Sequence, residues 1–180
     1  MGSTVVSLVC SSIRSEAVTR CIGLLDGLDF CGMKVLIKPN FNTADPAPGS
    51  THNDTLGQLI REIRRRGAKD ICVGERSGPV LTRDVVRQKR VQEVLTDLDV
   101  TFIDFDTLLP EDWVFVRYPG THWKDGFRVA RPILEADSVV GTCCLKTHQY
   151  GGVFSMSLKL AVTSYQVVEI GSAAPFGRVI

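Results

Sequence analysis

The 180-residue chain lacks any marked excess of charge: 21 lysines and arginines stand against 20 aspartates and glutamates, a formal net charge of +1. That balance removes the bulk electrostatic case for nucleic acid or an anionic membrane as partner. Arg61, Arg64, Arg65 and Arg66 read as a solvated helix face. Long apolar runs are missing too, none approaching the roughly 20 residues that span a bilayer. No charged stretch leads into an apolar core and cleavage site at the N-terminus. Met1-Gly2 is followed by Val6 where myristoylation wants Ser or Thr. The expected location is the cytoplasm. Among the six cysteines (Cys10, Cys21, Cys31, Cys72, Cys143, Cys144) there is no C-x-x-C pair. Their spacings match neither a zinc ribbon nor a ferredoxin cluster. They read as reduced thiols, mostly core, and a cluster assembled from distant cysteines stays open. Neither G-x-G-x-x-G after a strand nor G-x-x-x-x-G-K-[ST] occurs, so the known nucleotide cradles are absent.

What is present suits one globular domain. The chain is 44% hydrophobic and 23% charged, and its length allows a full core. Thr4 to Cys10 is β-branched and apolar and predicts a first strand. Ser15 to Leu28 has helical spacing, with Ser15 as N-cap candidate. Met33 to Lys38 is a short buried-strand pattern stopped by Pro39. A long loop, Asn40 to His52, follows, and loops of that length in compact domains are more often functional than accidental. The next helix carries Leu56, Leu59, Ile60 and Ile63 on one face and ends at Gly67. Asp70 to Glu75 is a strand. A helix from Thr82 or Arg83 has Val85, Val86, Val91, Val94 and Leu95 as its apolar side. Val100 to Phe105 is a strand. Trp113 to Tyr118 and Phe127 to Val129 form a short antiparallel pair. Pro132 to Ala136 is a short helix. The alternation predicts an α/β domain, a largely parallel sheet with flanking helices and a small antiparallel insertion near 113–129. The domain is expected over residues 1–159. Residues 160–180 read as an aperiodic tail and motivate a further reading, that the domain is truncated and without independent activity.

The stretch that organises the rest is Gly141 to Lys159. An apolar strand, Ser138 to Leu145, ends in Lys146, Thr147 and His148. Gly151-Gly152 follows, and then a helical pattern through Val153, Met156 and Leu160. Candidate polar groups occupy the carboxyl ends of expected strands: Lys38 and Asn40, Glu75 and Ser77, Lys146 and His148. In an open parallel sheet those ends form the ligand crevice. Lysines supply charge there, and helix-start amides after Thr51 and Gly151 supply directed donors. His148 or Glu75 would move a proton, and Lys146 or Lys38 would hold developing negative charge. Thr51, His52, Thr147, Ser157 and Lys159 complete the expected ligand-binding set. The bland alternatives are an exposed strand end for Lys38, turn and cap roles for Asn40 and Thr51, and a surface pair with Arg76 or Arg83 for Glu75. His52, Glu75 and His148 are scattered and lack metal-ligand spacing, so no metal is expected.

Five blocks carry a resemblance. They are Val35-Leu36-Ile37-Lys38-Pro39-Asn40, Gly49-Ser50-Thr51-His52, Gly67-Ala68 leading into Val73-Gly74-Glu75, Ser77-Gly78, and Leu145-Lys146-Thr147-His148 with Ser157-Leu158-Lys159. In this order and spacing the chain resembles the family catalogued as domain of unknown function 362, over Lys34 to Lys159. That family often stands beside iron–sulfur ferredoxin modules. The resemblance therefore implies a ferredoxin-like iron–sulfur protein as partner, or a cluster held by a segment this chain lacks. Leu160 replaces the Asn with which the family usually continues Ser-Leu-Lys, and the ferredoxin cysteine motif is absent. The leading expectation is an anion-binding protein or enzyme acting on a small anionic metabolite; the second is a redox-associated module.

Overall fold

Val35, Leu36 and Ile37 are buried on both sides of one short strand, and the sheet is built outward from it. In this computed structural model the described residues are 5–78, 80–120, 123, 125–147, 154–155, 160 and 164–167. Strand β1 (Lys34–Lys38) pairs in parallel with β2 (Asp70–Glu75) on one side, and β2 with β3 (Thr101–Asp104). On its other side β1 pairs in parallel with β6 (Ser138–Gly141). The order β3-β2-β1-β6 makes a four-stranded sheet. Register places Lys38 beside Gly141, and Glu75 beside Asp104, so all four carboxyl ends share one edge.

Helices α1 (Arg14–Gly23), α2 (Asn53–Arg65), α3 (Thr82–Gln88) and α4 (Val91–Asp97) supply the connections and flanks. Leu56, Ile60 and Ile63 of α2 join Val35, Ile37 and Val73 in the larger core. Leu36 points to the opposite face, as strand alternation requires, and packs with Phe105, Trp113 and Ala130. Gly74 lets β2 approach the ring on that second face: a Cβ there would lie 2.6 Å from Phe105 Cζ, so the ring would have to shift. An antiparallel sheet of β4 (Trp113–Val116), β5 (Phe127–Ala130) and β9 (Tyr165–Val167) and the short helix α5 (Arg131–Glu135) complete the larger elements. A two-residue ladder joins β7 (Lys146–Thr147) to β8 (Phe154–Ser155).

The α/β architecture and the antiparallel insertion match the sequence reading, but five local expectations change. Residues 5–10 form no strand, because strand propensity reports fit to a half-buried sheet surface and no ladder partner meets them among the described residues. The expected single helix after Thr82 is two, α3 and α4, broken where Arg90 takes a left-handed φ of 54°. The last sheet strand stops at Gly141, not Leu145, and Phe154–Ser155 is strand where a helix was expected. Within the tail, Tyr165–Val167 pairs with Phe127–Val129.

Candidate functional site

The loop after β1 is the floor of the site, and Thr51 closes it. Asn40 N–H donates to Thr51 Oγ1 at 3.0 Å while Thr51 N–H donates to the Asn40 carbonyl at 2.9 Å. This double clasp cinches Asn40 to Thr51 into a closed loop at the carboxyl end of β1. Within it Gly49 N–H donates to the Pro46 carbonyl at 2.7 Å, and Ser50 Oγ to the Asp45 carbonyl at 2.5 Å. His52 then caps α2: its Nδ1 accepts from Asp54 N–H at 3.1 Å. An accepting ring nitrogen carries no proton, so the neutral ring holds its hydrogen on Nε2.

Two further loops come to this floor. From β6, Thr142 N–H donates to the Lys38 carbonyl at 3.0 Å, and the Thr142 and Thr51 hydroxyls are 2.9 Å apart. The Lys146 ammonium reaches the Gly49 carbonyl, which fixes the half-buried lysine at the rim. From β2, Ser77 Oγ donates to the Phe41 carbonyl at 2.7 Å and Gly78 N–H to Asn42 Oδ1 at 2.9 Å. Asn40, Thr51 and Lys146 are therefore parts of one assembly at the border of β1 and β6, and Ser77 holds the same loop from the β2 side. That border is where the strand order reverses, the position at which open α/β sheets form their crevice.

Beneath the rim, Lys38 Nζ lies 2.5 Å from Glu75 Oε1, with the residues only 3% and 1% exposed. Glu75 Oε1 also accepts from Arg76 N–H at 2.8 Å, and Oε2 from Phe41 N–H at 3.0 Å. The bland alternatives for these two residues do not hold, since Lys38 is not an exposed strand end and Glu75 has its cation in the interior, whereas Asn40 and Thr51 do play the turn-holding part that the bland reading gave them. Burial pushes the Lys38 ammonium below its ordinary 10.5, and the Glu75 charge and hydrogen bond oppose that push. The pair welds β1 to β2 and orders the start of the loop through the Phe41 amide.

Of the remaining expected residues, Thr147 is exposed on the β7–β8 ladder opposite Phe154. His148, Ser157 and Lys159 lie outside the described residues. Two members of the assembly carry no expectation from the sequence. Thr142 is hidden there by a strand reading that runs on to Leu145. Lys89, whose Nζ stands 5.3 Å from the centre of the Phe41 ring, is hidden inside a presumed continuous helix. The signal was present: after Val85 and Val86 the next apolar residue is Val91, a spacing no single helix face produces.

All six cysteines are free thiols, Cys10, Cys31 and Cys143 exposed. Burial raises the half-buried Cys144 thiol, with Lys146 and Lys89 opposing, so it stays protonated near neutrality. Among the described residues no three His, Cys, Asp or Glu side chains gather as metal ligands. The described cysteines thus do not fit an iron–sulfur cluster of their own. No helix of the described residues is long and apolar enough to cross a membrane.

No curated protein and no solved structure matches the chain. The family model described as Domain of unknown function (DUF362) matches residues 35–166, a span that begins in β1 and ends in β9 and contains every loop of the assembly. By that match, which extends over most of its length, the chain belongs to the DUF362 family.

Proposed function

We propose that the assembly at the β1–β6 border binds a small anionic metabolite, with Lys146 as a charged contact and the Asn40–Thr51 loop as the wall that shapes the site. The observation that carries this reading is the joining of the loops after β1 and β6 by side chains, through Thr51 with Thr142 and Lys146 with Gly49. Lys146 spends one donor on Gly49, and an ammonium has three, so it retains directed capacity toward a ligand. Asn40, Thr51 and Ser77 act here by holding loops. Lys38 and Glu75 act from below, as a neutral pair that keeps the floor in place. Proton transfer by His148 would follow binding, and His52 Nε2–H is a further donor at the start of α2; Glu75, buried against Lys38, holds the floor and takes no part in it.

Backbone amide resonances followed during titration with inorganic phosphate and with succinate test the reading. Shifts are expected at Asn40, Thr51, Thr142 and Lys146, saturating within the range common for metabolites, about 1 μM–1 mM. Thr51→Val, which removes the hydroxyl shared with Asn40 and Thr142, should weaken binding several-fold. Saturable shifts confined to another face of the sheet, or none with either anion, would overturn the proposal.

A further inference from the structure

The interruption between α3 and α4 has an observable cost and a specific result. Arg90 holds φ 54° without being glycine, a conformation that L-residues adopt rarely. Such strain persists where the surroundings over-determine it, often at functional positions. What it delivers here is Lys89. Asn53 at the start of α2 donates from Nδ2 to the Lys89 carbonyl at 2.7 Å, which pins the break against the site. The Lys89 ammonium then stands over Phe41, the loop residue whose own backbone is held by Glu75 and Ser77. Gly49 stands between Lys146 and Asp45. Its carbonyl accepts from Lys146, and its Cα packs so closely on Asp45 that a Cβ would lie 2.6 Å from Asp45 Cβ. Asp45 is in turn within electrostatic range of Lys89, and the Cys144 thiol is within range of both lysines.

We infer that Lys89 is the second ligand-binding cation of this site, acting with Lys146 across the Asp45–Gly49 turn to take a dianionic group, a phosphate monoester or a dicarboxylate. The inference rests on the anion-binding reading above and deepens it. The buried pair Lys38–Glu75 cancels its own charge, and among the described residues Lys146, on the Gly49 carbonyl, and Lys89, over Phe41 and within electrostatic range of Asp45, are half-buried cations beside the turn. One carboxylate, Asp45, opposes them; its Oδ2 accepts from Thr43 Oγ1 at 2.6 Å. The net charge of these three groups, +1, then attracts a dianion about twice as strongly as a monoanion of the same size.

The test is calorimetric titration of the full chain with inorganic phosphate and succinate, set against butyrate as a monoanion of similar size to succinate. The dianions are expected to bind more tightly than butyrate. Lys89→Met should weaken them about tenfold or more, the scale of one charged hydrogen bond, and Lys89→Arg should restore most of the loss. Asp45→Asn, which keeps an acceptor for Thr43 and deletes the opposing charge, should tighten dianion binding. Unfolding midpoints of each variant check that the fold is intact, and the Lys89→Arg rescue separates a binding role from a folding role. Wild-type affinity in Lys89→Met, with binding lost in Lys146→Met, would overturn the role of Lys89 and leave the anion site standing. Failure of the unmodified protein to bind either dianion would overturn both.

Discussion

Lys38 and Glu75 set the behaviour of the molecule at the scale of single residues. A buried ion pair contributes little net stability, because desolvation cancels most of the attraction, but removing one partner strands the other charge. Glu75→Gln should therefore cost about 3–5 kcal/mol in denaturant unfolding. Lys38→Met/Glu75→Leu should recover much of that loss. The pair also has a pH signature. Burial holds the folded-state Lys38 below the ordinary 10.5. Between that lowered value and 10.5 the unfolded chain binds more protons than the folded one, so this residue's contribution to stability rises with pH across the window. The unfolding midpoint of the natural chain should gain on that of Lys38→Met between neutral pH and pH 10. A difference that shrinks over the same interval would mean the folded ammonium is favoured, not disfavoured. Sequence could single out both residues as candidates, since each ends an apolar run, yet could not tell a ligand-facing ammonium from an internally neutralised one. That distinction depends on the depth of the strand end and on a partner 37 residues away.

At the scale of elements, periodicity was a good guide wherever one face packs and the other is wet. Helix α2 came through with its apolar stripe and its stop at Gly67, and β1 and β2 with nearly their full extents, because burial on both faces leaves an uninterrupted apolar run. Strand β6 did not, since the apolar pattern after Gly141 continues into Cys143, Cys144 and Leu145, which the structure leaves outside any strand. The contact between Gly74 and Phe105 was illegible for another reason: glycine in a strand announces a close approach but not what approaches. Gly74→Ala should destabilise by about 1–3 kcal/mol through overpacking against Phe105. Adding Phe105→Leu should recover part of the loss, and equal stability of the single and double variants would show that the ring moves aside freely.

For the whole molecule, the most visible departure is the N-terminal stretch. Val5, Val6 and Leu8 are 68%, 84% and 93% exposed, so the chain's most strand-like leading sequence contributes almost nothing to the core. Replacing all three by serine should change stability by no more than about 0.5 kcal/mol per site, as for other exposed positions. A loss of several kcal/mol on chemical unfolding would place the stretch in a sheet after all. The α/β class was readable because strands and helices alternate, and the loop cluster because its polar residues follow strands. That those loops share one edge was readable from the parallel sheet, but which of them touch was not, since it depends on β6 returning to the far side of β1.

That return has a temporal consequence. Thr142 and Lys146 meet Thr51 and Gly49 across separations of 91 and 97 residues. On a ribosome adding about 5–20 residues each second, the Asn40–Thr51 loop waits roughly five to twenty seconds for its opposite wall. Through that interval the loop after β1 stands open on one side, and it gains its opposite wall only as β6, the last strand of the parallel sheet, docks.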